Sequence, residues 1–172
     1  VNKNTLIKAR KFENGIISDV YTADYLIGAD HDIPVISLNT EDKYLWDENV
    51  GMYVLGNDYQ NQNPYFGANF WEDWEYPFHI SYFNSDGELL LDSGGGAKIF
   101  GGWSRAFDQK SFSLFARKDY GASSFNNKFF EGRAYSNFES LILRNSGNDW
   151  DRSFLRDPIM TSLMQGSQVD YQ

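Results

Sequence analysis

The spacing of apolar residues near the start of the chain predicts a pair of strands. Residues 5–12 alternate apolar and polar positions with a period of two, and Glu13-Asn14-Gly15 then predicts a turn. Residues 20–27 form the second strand, which Gly28 closes. Because two strands alone are marginally stable in water, this hairpin needs a further sheet to pack against.

Apolar runs downstream predict more strands, separated by turns and by one long insertion. The insertion, residues 57–75, is polar at its start and aromatic at its end, and loops of this length are functional or mobile. Asn84–Gly87 predicts a hairpin turn, and Gly94-Gly95-Gly96 predicts a tight turn. The predicted strands are Pro34–Leu38, Gly51–Gly56, Phe78–Phe83, Glu88–Leu91, Ala97–Phe100, Ser111–Arg117 and Leu141–Arg144.

One late stretch has helical periodicity, which predicts a helix at about residues 153–165. Ser153 would be the N-cap of an early start, whereas Pro158 favours a start nearer Asp157. A short helical turn is expected between Thr40 and Asp47, with Thr40 as its N-cap. These elements predict an α+β, strand-rich fold with an antiparallel sheet and one main C-terminal helix.

Composition and charge limit the class of protein. The 172 residues suffice for one domain, and 41% hydrophobic with 23% charged residues is ordinary for a folded chain. The formal net charge of −9 disfavours nucleic acid or an anionic membrane as partner. The chain has no cysteine, which excludes disulfides and thiolate metal sites and is compatible with export. No stretch approaches the roughly 20 apolar residues that a membrane span needs.

Aromatic residues make up 17% of the chain and allow two interpretations. Most would belong to a β-rich core and to exposed strands. Alternatively, Trp71 and Trp74 of the insertion would form a stacking platform for carbohydrate.

The segment from Gly102 to Phe112 carries the clearest candidate chemistry. A glycine turn leads into a strand, with Arg105 and Lys110 beside it, and two cations next to backbone amides could hold a polyphosphate. A surface strand with snorkelling side chains remains the alternative. The segment does not match a P-loop, and the isolated His31 and His79 do not indicate a metal site.

Several short segments, in their order along the chain, resemble known protein families. Residues 1–28 look like the last hairpin of a chitobiase/β-hexosaminidase C-terminal-type sandwich, and Gly28–Asp32 marks the boundary to residues 33–172. The other segments, in chain order, are Pro34–Leu38, Gly51–Gly56, Trp74–Pro77, Gly101–Arg105, Gln109–Phe112, Leu143–Trp150 and Leu155–Asp157. Together they resemble the CotH (spore coat protein H) kinase family.

This resemblance implies that residues 33–172 form the amino-terminal lobe of an atypical protein-kinase-like fold that binds ATP with Mg²⁺ or another divalent metal. By analogy, Lys110 faces the phosphates, Ser104 and Arg105 lie on the glycine loop, and Arg156 opens the helix that packs against the sheet. The family's catalytic and metal-binding aspartates would lie downstream of Gln172. We therefore expect no catalytic residue within this fragment.

The leading hypothesis is a fragment of a secreted or surface bacterial kinase that acts on an unknown protein acceptor and is inactive alone. The main alternative is an extracellular carbohydrate-binding or adhesion module that uses the aromatic insertion. A kinase-derived scaffold without activity is the third hypothesis.

Overall fold

A computed structural model describes residues 3–18, 20–28, 32–130, 132–149, 151–164 and 166–167. Within these residues the chain is rich in antiparallel strands and has one main helix, which confirms the predicted α+β class. The strands are β1 (Thr5–Ala9), β2 (Phe12–Glu13), β3 (Ile16–Ile17), β4 (Tyr21–Tyr25), β5 (Val35–Asn39), β6 (Tyr76–Phe83), β7 (Leu89–Phe100), β8 (Ser111–Phe115), β9 (Phe125–Asn126), β10 (Asn137–Phe138) and β11 (Ser140–Leu143). The helices are α1 (Asp42–Trp46) and α2 (Arg156–Ser162), with 3-10 turns at Asn69–Trp71, Trp103–Ala106 and Gly147–Asp149.

The chain divides into two compact units. The first unit comprises Val1–Thr40, Pro77–Gly96 and Ala116–Glu139, and the second comprises Glu41–Tyr76, Ala97–Phe115 and Ser140–Gln172. Among the described residues, no helix has the length and apolar character that a membrane crossing requires.

The first unit contains the predicted N-terminal hairpin. β1 pairs antiparallel with β4, with Thr5 opposite Tyr25, and β2 and β3 form a second short pair beyond them. In the same unit the hydrogen-bonded strand order is β5, β6 and the first part of β7. The Asp24 carboxylate of β4 accepts hydrogen bonds from Ser81 Oγ at 2.7 Å and Asn39 Nδ2 at 2.9 Å. The hairpin therefore has the sheet contact that it needs for stability.

The predicted module boundary between residues 28 and 33 stays a prediction. Ala29, Asp30 and His31 lie outside the described residues. The hydrogen bonds of Asp24 show only that β4 contacts β5 and β6 within the first unit.

The three glycines at positions 94–96 lie inside β7, so the predicted tight turn there is wrong. A Cβ built on Gly94 would overlap the main-chain carbonyl oxygen of Tyr120. Glycine is needed at this point for close approach of two backbones, which the sequence pattern of a glycine run does not distinguish from a turn.

The second unit supports the candidate site described below. Its strand order is the end of β7, then β8 and β11, and β8 pairs with β11 in the register Phe112 opposite Leu143. Met52, Phe70, Ile99 and Leu114 are almost completely buried and form the core of this unit.

The predicted strand at residues 51–56 is also wrong, because this segment turns back onto α1. The amides of Gly51, Met52 and Tyr53 donate to carbonyl oxygens of residues 47, 44 and 45 at 2.7, 2.8 and 3.1 Å. These donors are therefore used within the turn and not in a sheet.

The predicted cap of the first short helix is wrong as well. Glu41 is the N-cap residue of α1, without a side-chain cap bond, and Thr40 Oγ1 donates instead to the carbonyl oxygen of Pro77 at 2.7 Å. The helix itself lies within the predicted range.

The C-terminal helix is shorter than predicted. It spans Arg156–Ser162, so the start near Asp157 was the better of the two alternatives. Ser153 does not cap it, because Ser153 Oγ donates to the Asp149 carboxylate at 2.5 Å. The same carboxylate oxygen of Asp149 accepts the amide of Arg156 at 3.2 Å, so Asp149 serves the helix start.

Candidate functional site

The second unit contains a cleft of about 800 Å³, here called the cationic cleft. It lies where the end of β7, the 3-10 turn after β7, β8 and the segment after β11 come together. Its lining consists of residues 98–105, Ser111, Ser113, Arg144, Asn145 and Gly147.

The charge of this cleft differs from that of the chain. Its lining includes Lys98, Arg105 and Arg144, and none of the described lining residues is acidic. The whole chain, in contrast, has 24 acidic and 15 basic residues. A local excess of cations on an acidic protein favours an anionic ligand at this point.

A glycine turn connects β7 to the 3-10 turn at the cleft. Gly101 has a φ of +112°, and a Cβ there would lie 2.5 Å from Ser104 Oγ, so this position requires glycine. At Gly102 no heavy atom lies within 4 Å of an added Cβ, which leaves the backbone surface open toward solvent.

Arg105 lines the cleft, as expected, but its guanidinium is held by main-chain carbonyls. Its Nε donates to the carbonyl oxygen of Gly101 at 2.7 Å. Its Nη1 lies 3.3–3.4 Å from the carbonyl oxygens of residues 70, 71 and 72. Arg105 therefore ties the glycine turn to the 3-10 turn Asn69–Trp71.

Lys110 contacts the 3-10 turn that follows the glycine turn, and it does not line the cleft. It is only 8% exposed, and its Nζ donates to the carbonyl oxygens of Arg105 at 2.8 Å and Phe107 at 2.9 Å. The same Nζ lies 4.2 Å from the ring centroid of Phe70 and 5.0 Å from that of Tyr53. Burial lowers the pKa of Lys110 to about 8, although the nearby charge of Asp108 opposes this shift.

Arg156 begins α2 and is also absent from the cleft lining. Its Nε lies 3.1 Å from Asp149 Oδ1, and Asp149 is only 5% exposed. The hydrogen bond from Ser153 lowers the pKa of Asp149, and the amide and charge of Arg156 act in the same direction. Arg156 thus holds the helix start against the 3-10 turn that contains Asp149.

Asn145 fixes the segment after β11 to the start of β8. It is 3% exposed, and its Nδ2 donates to the carbonyl oxygen of Gln109 at 2.5 Å. Its Oδ1 accepts from Ser111 Oγ at 2.8 Å and from the amide of Gly147 at 3.0 Å. These bonds position one side of the cationic cleft.

Sequence reasoning missed Lys98, Arg144 and Trp103 as cleft residues. Lys98 lies in β7, Arg144 directly follows β11, and Trp103 is 65% exposed at the glycine turn. Lys98 Nζ is 2.7 Å from Asp73 Oδ1, and Arg144 Nη2 is 2.6 Å from Asp157 Oδ2. No local sequence signal marks Lys98 and Arg144, because only the strand order, with β8 between β7 and β11, brings them to the same cleft.

The two tryptophans of the carbohydrate hypothesis are half-buried and have different neighbours. Trp71 stacks at a tilt on Phe66, with a centroid distance of 5.0 Å, and its Nε1 donates to the carbonyl oxygen of Pro64. Trp74 packs against Tyr76 at 6.1 Å. Each ring therefore packs against a different aromatic neighbour.

The described residues contain no group of three or more His, Cys, Asp or Glu side chains that could hold a metal ion. An anionic ligand such as the phosphate chain of ATP does fit the donors of the cationic cleft.

Comparison with known proteins gives one match. A family model described as CotH kinase protein matches residues 97–172, which include every residue that lines the cationic cleft. No curated protein and no solved structure matches the chain significantly. Residues 97–172 are therefore similar to part of the CotH kinase protein family.

Proposed function

We propose that the second unit is the nucleotide-facing part of a CotH-like ATP-dependent phosphotransferase. One observation carries this proposal: the cleft lined by three cations lies entirely within the residues that match the family. In an otherwise acidic chain, such a cleft suits the phosphate chain of a nucleotide.

The four residues expected at the nucleotide site have two kinds of role in this proposal. Ser104 and Arg105 line the cleft itself, where the Arg105 guanidinium also holds the glycine turn. Lys110 and Arg156 act from outside the lining, since Lys110 bonds the carbonyl oxygens of the 3-10 turn and Arg156 pairs with Asp149. Substitution of Lys110 or Arg156 would therefore change the shape of the site rather than remove a direct contact with the ligand.

Phosphoryl transfer depends mainly on positioning and on neutralisation of charge. The residues of this chain would hold the phosphate chain and offset its charge. A divalent metal, when bound with the nucleotide, would supply further charge neutralisation. Carboxylates that hold this metal and orient the acceptor hydroxyl are proposed to belong to the rest of the parent protein, so that this fragment alone is inactive.

The setting of the parent is part of the same proposal. The family resemblance suggests a secreted or surface protein of a bacterium that modifies a protein acceptor, and a chain without cysteine is compatible with export. The net charge of −9 argues against nucleic acid as the partner. The carbohydrate alternative gains no support from Trp71 and Trp74, which are half-buried and pack against Phe66 and Tyr76.

Calorimetric titration of the 172-residue chain with ATP in the presence of Mg²⁺, and separately with adenosine, tests the proposal. We expect saturable ATP binding that is at least about tenfold tighter than adenosine binding, because charge-assisted contacts contribute about 1.5–3 kcal/mol. We also expect no transfer from radiolabelled ATP to a general acceptor protein. Equal affinity for ATP and adenosine, or no binding of either, would contradict the nucleotide site, and robust transfer would contradict the inactivity of the fragment.

A further inference from the structure

Lys98 and Arg144 lie in, or directly after, the two strands that flank β8. Lys98 lies in β7, and Arg144 is the first residue after β11. Both line the cationic cleft, together with Ser111 and Ser113 of the middle strand. With a volume of about 800 Å³, the cleft has room for a ligand beside these residues.

Each of these two cations is paired with a carboxylate that is open to solvent. Asp73, the partner of Lys98, has a side chain that is 77% exposed, and Asp157, the partner of Arg144, is 51% exposed. Neither aspartate belongs to the cleft lining. Exposed ion pairs contribute only about 0–1 kcal/mol, so both cations can exchange a carboxylate for another anion at little cost.

Arg105 and Lys110 differ from them in this respect. Their side-chain donors bond main-chain carbonyl oxygens of the turns that build the site. A ligand that captured these donors would leave part-buried carbonyl oxygens without these partners, which carries a free-energy cost. These two residues are thus suited to holding the glycine turn in place.

We propose that Lys98 and Arg144 bind the polyphosphate portion of the ligand by exchanging Asp73 and Asp157 for phosphate oxygens. Arg105 and Lys110 are then positioning residues of the same site. This inference rests on the proposed function, and it assigns the direct anion contacts to two residues outside the predicted set.

The exchange has a consequence that a purely structural role of Lys98 would not have. Asp73 competes with the ligand for Lys98, so removal of its charge strengthens ligand binding. The hydrogen bond and the charge of Lys98 lower the pKa of Asp73, in that order of size, so the carboxylate is ionised and competes at neutral pH.

The experiment measures dissociation constants of tripolyphosphate and of ATP for the full chain by calorimetry at one fixed ionic strength. We expect Lys98→Met and Arg144→Gln each to weaken tripolyphosphate binding about tenfold, as for loss of a charge-assisted contact. Asp73→Asn should strengthen binding about two- to fivefold, which corresponds to the small free energy of an exposed ion pair.

Matched controls separate a local contact from the overall charge. Lys118→Ala and Asp86→Asn change the net charge by the same amounts at exposed positions outside the cleft lining. Both should bind tripolyphosphate as the unmodified chain does. The double variant Lys98→Met/Asp73→Asn keeps the net charge unchanged and should still bind weakly.

The outcomes distinguish the two levels of the argument. If the unmodified chain binds ATP but Lys98→Met and Arg144→Gln bind as tightly, or Asp73→Asn gains no more than Asp86→Asn, the assignment of the contacts is overturned and the proposed function stands. If the unmodified chain binds neither ATP nor tripolyphosphate, both are overturned. Thermal unfolding checks that each variant is folded, and the exposed Arg144 and Asp73 decide the question if Lys98→Met fails to fold.

Discussion

At the scale of single residues, burial decides what each cation of the second unit does. Lys110 is 8% exposed and bonds two carbonyl oxygens, whereas the side chain of Arg144 is 61% exposed and pairs with an exposed carboxylate. Lys110 follows the glycine turn in the sequence, and Arg144 lines the same cleft as that turn. The sequence identifies such residues as neighbours of a site, but the direction of a side chain depends on packing that lies far away along the chain.

The buried lysine makes stability depend on pH. Since the pKa of Lys110 is lowered to about 8 from 10.5, the unfolded chain retains the proton that the folded chain has lost between these two values. The free energy of unfolding therefore rises with pH across this window, and below it the cost of burying the charge is fully present.

Urea unfolding of the chain and of Lys110→Met from pH 7 to pH 10.5 measures this contribution. The unfolding free energy of the variant is subtracted from that of the unmodified chain. This difference should increase by on the order of 1–3 kcal/mol between about pH 8 and pH 10.5. Subtraction of the variant removes the titration of the tyrosines. A difference that stays constant over this range would show that Lys110 is not a desolvated lysine.

At the scale of elements, one buried side chain connects β8 with the segment that leads to α2. Asn145 bonds Gln109, Ser111 and Gly147, and Asp149 then bonds Ser153 and Arg156 at the start of the helix. The dense polar sequence after β11 thus forms a hydrogen-bonded network between β8 and the start of α2.

Substitution of Asn145 tests this network. Asn145→Ala leaves buried donors and acceptors without partners, so it should reduce the free energy of unfolding by about 2–3 kcal/mol. Asn57→Ala, at an exposed position of the insertion whose side chain bonds only Asn49 among the described contacts, serves as the control and should change stability by less than about 0.5 kcal/mol. Equal effects of the two substitutions in urea unfolding would contradict the account of this network.

At the scale of the whole chain, the predictions succeeded where the signal is local. Alternation with a period of two identified β1 and β8, because successive side chains of a strand point to opposite faces. Apolar runs between turn signals identified β5 and β6. The glycines at 94–96 were misread as a turn. The backbone of Tyr120, which requires glycine at position 94, is distant along the chain and approaches only in the folded structure. Likewise, Lys98 and Arg144 become neighbours only through the order of β7, β8 and β11.

The central claim at this scale is that the cationic cleft of an otherwise acidic chain binds a nucleotide. Amide chemical shifts of the isotope-labelled chain, recorded during a titration with ATP, test it most directly. We predict saturable shifts at residues 98–105, Ser111, Ser113, Arg144 and Gly147, with the exposed insertion residues 57–63 unchanged. Absence of saturable shifts, or shifts confined to residues outside the cleft lining, would contradict the assignment of a nucleotide site to this cleft.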